Sequence, residues 1–157
     1  MLIKVCGMRD PQNIREVSEL GIDWVGFIFY HKSPRKLANQ LTVKEENANA
    51  KQLSLATCQL PIAKVGVFVN ATIKEMMETA SNYQLDYLQL HGNESAEDCH
   101  TLQKRGFSLI KAISVSSGED LEKTKVYEGR VDYFLFDTKC SGYGGSGKSF
   151  DWSVLSD

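Results

Sequence analysis

The stretch Ala63-Lys64-Val65-Gly66-Val67-Phe68-Val69, then Thr72-Ile73-Lys74-Glu75-Met76-Met77, then Asp86-Tyr87-Leu88-Gln89-Leu90 decides the fold. Ala63–Val69 is a short apolar run with the composition of a strand buried on both faces. Thr72 with Glu75 three residues on has the spacing of a capping box, so a helix begins there and turns Met76, Met77 and Ala80 inward. Asp86–Leu90 is a second strand run. From the start of one strand to the start of the next, through one helix, is 23 residues.

The same unit recurs outward in both directions. Strands are expected at Leu2–Cys6, Trp24–Phe29, Ala63–Val69, Asp86–Leu90, Ser108–Ile113 and Asp132–Phe136, with starts 22, 39, 23, 22 and 24 residues apart. The long interval holds Tyr30–Gln59, where Thr42–Thr57 has helical character weakened by Asn47 and Asn49. Asp10-Pro11 reads as an N-cap with proline at the first helical position, and Gly21 as a stop. Ser95 with Asp98 and Ser117 with Asp120 open further helices, which Gly106 and Gly129 end. Asp151 caps one more, begun at Trp152. The 157 residues therefore read as one α/β domain of βα repeats. Either an open doubly wound sheet or a (β/α) barrel fits, and both place ligands at the carboxyl ends of the strands.

Composition excludes several classes. With 42% hydrophobic and 24% charged residues the chain can bury a core, which argues against disorder. A net charge of −2 gives no basic footprint for nucleic acid. No run approaches the ~18 apolar residues of a membrane span, and Lys4 interrupts the N-terminal run before it resembles a signal peptide. Cys6, Cys58, Cys99 and Cys140 are scattered without a C-x-x-C pair, as expected for free thiols in a reducing cytoplasm. Cys99 and His100 point about 100° apart on a helix and have no second ligand cluster, so no metal site is expected.

The strand ends carry the chemistry. Cys6 ends the first strand beside Gly7, whose bare backbone admits close approach, and a cation such as Arg9 or Lys4 would favour the thiolate. Asp137 follows Tyr133-Phe134-Leu135-Phe136. A carboxylate at the mouth of an apolar bed loses solvation, which suits it to general-acid work. Arg35, in the basic loop His31–Lys36, has the fork to clamp a carboxylate. Gln89 and His91 flank Leu90 and share one side of the fourth strand. Each also has a plainer structural reading: a buried thiol, a capping aspartate, a solvated loop, a satisfied polar pair. Gly142–Ser149 matches the phosphate-loop pattern G-x-x-x-x-G-K-[ST]. Its context is wrong, because Asp137–Ser141 separate it from the strand and the next helix starts only at Asp151. A glycine-hinged loop over a ligand, with Lys148 touching an anion, reads better.

Taken together, the blocks Lys4-Val5-Cys6-Gly7-Met8, Val25–Phe29, Lys32-Ser33-Pro34-Arg35, Val65–Asn70, Leu88-Gln89-Leu90-His91-Gly92, Phe136-Asp137-Thr138-Lys139 and Gly144–Trp152 resemble the phosphoribosylanthranilate isomerase family, in family order over nearly the whole chain. The resemblance implies a (β/α)8 TIM barrel and an Amadori rearrangement of a small phosphoribosyl substrate in tryptophan biosynthesis, without metal or organic cofactor. It implies Asp137 as general acid and Cys6 as general base. Arg35 would hold the anthranilate carboxylate, Gln89 and His91 would lie near the substrate, and Gly144, Gly145 and Lys148 would lie in a covering loop. Neither nucleic acid nor membrane is an expected partner, and nothing in the sequence specifies an oligomeric state. The family continues for two more βα units, which carry its phosphate site. The expectation is thus a barrel represented by about six units, an incomplete or cleaved chain or the ordered part of a longer one, with little activity by itself. Other readings are another phosphosugar barrel, such as an indoleglycerol-phosphate synthase or a histidine-pathway isomerase, or a non-catalytic binding protein of the same fold.

Overall fold

The computed structural model describes residues 1–37, 60–138 and 151–155, apart from the side chains of Trp152 and Val154. Six strands, β1 (Lys4–Cys6), β2 (Trp24–Ile28), β3 (Ala63–Phe68), β4 (Tyr87–Leu90), β5 (Ser108–Val115) and β6 (Tyr133–Thr138), form one sheet. They lie in the order β1-β2-β3-β4-β5-β6, and every pair is parallel. A doubly wound sheet reverses its strand order at a switch point. The consecutive order is that of a barrel wall, which settles the choice the sequence left open.

The sheet is also curled. On a flat sheet β2 and β6 would lie about 19 Å apart, at ~4.8 Å per strand. Yet the rings of Trp24 on β2 and Tyr133 on β6 have centroids 5.1 Å apart, and Tyr87 on β4 lies 4.9 Å from Trp24. These aromatics sit at the amino ends of their strands and form an apolar floor on the concave side.

The convex side is covered by helices α1 (Pro11–Ser18), α2 (Ile73–Tyr83) and α3 (Ala96–Lys104). Their starts follow the sequence reading. The side chains of Asp10, Thr72 and Ser95 each accept a backbone N–H three residues on, and both capping boxes are closed. Met76, Ala80, Cys99 and Leu102 pack against Phe68, Leu88, Leu90 and Leu109 of the strands. Ile14 packs against Val25 and Phe27. Each fully buried Leu, Ile, Val, Phe or Met side chain among these contributes roughly 1.5–3 kcal/mol.

The helix expected from Ser117 differs. Gly118–Tyr127 is a 3₁₀ segment, and Ser117 makes no side-chain cap. Asp120 turns back instead to accept from the amide and hydroxyl of Ser116, which competes with an α-helical first turn. The last element, Trp152–Leu155, is a single 3₁₀ turn, with Asp151 accepting from the Ser153 amide. The expected helix at Thr42–Thr57 lies outside the described residues, as do Cys58 and Cys140. Cys6 and Cys99 are free thiols. Among the described residues, no helix is long and apolar enough to cross a membrane.

One arrangement is repeated three times. Asp23, Asp86 and Asp132 each stand just before an even-numbered strand. Each donates its own amide to a carbonyl of the preceding strand segment, at Ile3, Lys64 and Leu109. Each carboxylate accepts the amide of that same residue at 2.7 Å. The aspartates therefore close the ladder at the floor in pairs β1–β2, β3–β4 and β5–β6. Asp86→Ala removes one charge-assisted bond, and it is expected to lower unfolding stability by about 1.5–3 kcal/mol in urea titration.

Candidate active site

The parallel strands carry their odd and even positions to opposite faces, so Lys4 and Cys6 share the concave side with Gln89 and with Asp137. At the carboxyl ends these side chains line a cavity of about 210 Å³, together with Tyr30, Arg35 and His91. Five residues singled out from the sequence, Cys6, Arg35, Gln89, His91 and Asp137, thus meet in one place. Gly144, Gly145 and Lys148 lie outside the described residues. Arg9 does not line the cavity and donates to the Pro34 carbonyl at 3.1 Å.

Two glycines shape the thiol's surroundings. Gly26 lies opposite Cys6 in the β1–β2 register, and a Cβ there would stand 2.7 Å from Cys6 Sγ. The absent side chain is what lets the thiol lie against the neighbouring strand. Gly7 has φ +86°, and a Cβ there would come within 3.2 Å of the Arg35 Cδ and Nη1 atoms. Its small size therefore makes room for Arg35, whereas the sequence reading reserved that space for substrate. Arg35 itself is held by its segment: its amide donates to Ser33 Oγ, and the Leu37 amide donates to the Ile28 carbonyl at 2.7 Å.

A polar chain crosses the cavity. Lys4 Nζ donates to Gln89 Oε1. That leaves the Gln89 amide nitrogen facing His91 Nδ1 at 3.3 Å, and an amide nitrogen can only donate. His91 Nδ1 is therefore the acceptor, and the ring proton sits on Nε2, 3.3 Å from Asp137 Oδ2. Burial pushes the His91 pKa below its ordinary value, against the opposing pull of the Asp137 carboxylate. The imidazole is thus a neutral donor to Asp137 at pH 7. The sequence reading had placed Asp137 alone above an apolar bed. The bed is there in Leu135, but the carboxylate has a fixed hydrogen-bonding neighbour.

Glu94 and Lys111 were missed. Both are buried, and Lys111 Nζ reaches the carbonyls of Leu90 and Gly92 and Glu94 Oε2 at 3.1, 2.7 and 3.2 Å. Glu94 accepts the amides of Asn70 and Gly92. The pair ties the turn that follows β4, and with it His91, to β5 and to the end of β3. The available signal was a lysine inside the apolar run Ser108–Ile113.

Lys111→Met strands a buried carboxylate and is expected to destabilise the fold by about 3–5 kcal/mol. Combining it with Glu94→Gln recovers part of the loss in the same unfolding titration. Gly26→Ala is expected to displace the Cys6 side chain while leaving the secondary structure unchanged. Circular dichroism reads the second, and the rate of Cys6 alkylation, altered by severalfold, reads the first.

Comparison with known proteins places this geometry in context. The family described as N-(5'phosphoribosyl)anthranilate (PRA) isomerase matches residues 3–157. A relative from Parabacteroides distasonis, named N-(5'-phosphoribosyl)anthranilate isomerase, is 65% identical over 99% of this chain and 66% of its own length. The crystal structure of phosphoribosyl anthranilate isomerase from Thermotoga maritima superposes with a TM-score of 0.80 at 36% identity, covering 99% of this chain and 70% of that one. A phosphoribosyl anthranilate isomerase solved with reduced 1-(o-carboxyphenylamino)-1-deoxyribulose 5-phosphate has a TM-score of 0.72 at 31% identity, covering 88% of this chain and 66% of that one. The chain therefore spans about two thirds of the length of the proteins it matches. A consecutive parallel barrel wall, a cavity at its carboxyl ends and a family match over residues 3–157 lead to one assignment: this chain belongs to the N-(5'-phosphoribosyl)anthranilate isomerase family.

Proposed function

We propose that the chain forms the greater part of one (β/α)8 barrel domain whose cavity isomerises N-(5′-phosphoribosyl)anthranilate to 1-(2-carboxyphenylamino)-1-deoxyribulose 5-phosphate. The observation that carries this is the convergence of Cys6, Arg35 and Asp137 on one cavity at the carboxyl ends of the strands. The ligand-bound relative contains a reduced form of that product, which fits the same substrate class.

The reaction needs two proton movements. In the first, Asp137 protonates the ribose ring oxygen as the C1′–O bond breaks, and the furanose opens to a Schiff base. In the second, the Cys6 thiolate removes the proton from C2′ to give the enolamine, which tautomerises to the ketone. Arg35 faces the anthranilate carboxylate as a planar two-pronged donor. The neutral His91 orients Asp137 through its Nε2 proton, and Gln89 fixes the tautomer that makes this possible. The proposed site extends to Gly144, Gly145 and Lys148 on the strength of the family resemblance. The reaction belongs to tryptophan biosynthesis, and we place it in the cytoplasm with a small molecule as its partner.

Loss of phosphoribosylanthranilate fluorescence tests the reading. The assay uses this chain joined to the C-terminal third of the Parabacteroides distasonis relative. Turnover is expected there, with much less in the 157-residue chain alone. Cys6→Ser and Asp137→Asn are each expected to lower kcat by about 100-fold or more, the ordinary share of a general base or acid. Arg35→Met raises KM. A flat trace from a folded, completed chain favours a binding protein of the same fold.

A further inference from the structure

We infer that Lys4 is the cation that stabilises the Cys6 thiolate, and that Gln89 holds Lys4 at the cavity wall for that purpose. The inference deepens the reading of Cys6 as the base. It concerns a residue that the assigned acid–base pair leaves without a task.

Three observations carry it. First, Lys4 and Cys6 are two apart on β1, so both side chains enter the same cavity from the same strand. Second, the partner of the Lys4 ammonium is the neutral Gln89 side chain. None of the ion pairs among the described residues includes Lys4. Gln89 is itself 2% exposed and is held in orientation by His91, so it fixes the position of the ammonium without cancelling its charge. Third, the remaining charged or titratable groups facing this cavity have other partners or tasks. Asp137 accepts the hydrogen bond of the His91 Nε2–H, His91 is neutral, and Arg35, which lies over Gly7 next to Cys6, faces the anthranilate carboxylate in the proposed reaction. Tyr30 completes the set.

A thiolate at the edge of an apolar cavity loses solvation, which disfavours the charged form. An ammonium on the same wall offsets that loss. Burial lowers the Lys4 pKa, and the neighbouring Cys6 opposes that lowering, as expected for two groups on one cavity wall. Ionisation sends the thiol proton to solvent, and the resulting thiolate is the group able to take the C2′ proton.

Alkylation of Cys6 by iodoacetamide between pH 5 and 10 tests this in the chain as it stands. Peptide mass spectrometry reads Cys6 separately from Cys58, Cys99 and Cys140. Lys4→Met is expected to raise the midpoint of the alkylation profile by about one unit, which slows the reaction at pH 7 about tenfold. Lys4→Arg, which keeps the charge, stays within about 0.3 unit of the unaltered chain. If Lys4→Met does not fold by circular dichroism, Lys4→Gln, which keeps a donor for Gln89, is expected to give the same upward shift. An unchanged midpoint in a folded, uncharged Lys4 variant overturns the inference. Failure of the isomerase reading shows in the fluorescence assay, which the alkylation profile does not depend on.

Discussion

Lys4 on β1 reaches Gln89 on β4, His91 just after β4 reaches Asp137 on β6, and Trp24 on β2 touches Tyr133 on β6. Contacts across two to four strands are possible only on a strongly curled sheet. Curvature therefore comes first, and the site is its consequence. It divides the concave side into an aromatic floor at the amino ends and a polar chain above it. The floor closes the amino end with apolar surface, so the polar groups meet only at the carboxyl ends, where loops can bring a ligand.

Neighbouring strands are tied at both ends. At the amino ends, three aspartates bind the amides that the short strands leave unpaired. At the carboxyl ends, the Lys111–Glu94 pair does a related task in a drier place. A buried ion pair gains little stability over an apolar pair of the same size, because two charges must first be desolvated. What this one supplies is position. It fixes the carbonyls on either side of His91, so the imidazole meets Asp137 with one defined edge. Placement of the acid thus reaches back through a hydrogen-bond network to the covered face of the sheet.

Polarity within the cavity follows from donor and acceptor chemistry. An ammonium can only donate, so it takes the Gln89 oxygen. The amide nitrogen then dictates the histidine tautomer, and the histidine presents a proton to the carboxylate. The chain runs in one direction, from Lys4, on the strand that carries Cys6, to the carboxyl group of Asp137 at the opposite wall. In the proposed reaction Cys6 accepts a proton from carbon, and Asp137 in its acid form gives a proton to oxygen.

Much of this was legible before any coordinates. The repeat near 22–24 residues and the apolar runs determined the alternating elements, because strand and helix periodicities are local. The caps at Asp10, Thr72 and Ser95 were legible for the same reason: each is made within three residues. Cys6, Gln89, His91 and Asp137 stood out because strand ends of a βα protein face the ligand. The cap at Ser117 failed because Asp120 had a competing partner one residue earlier, in Ser116. Tertiary structure alone decided the rest. Whether the sheet would curl depended on Trp24, Tyr87 and Tyr133 meeting across strands, and sequence spacing carries no record of that. The Glu94–Lys111 pair and the Lys4–Gln89 bond join residues 17 and 85 positions apart, and their charges have meaning only once burial has removed the water around them.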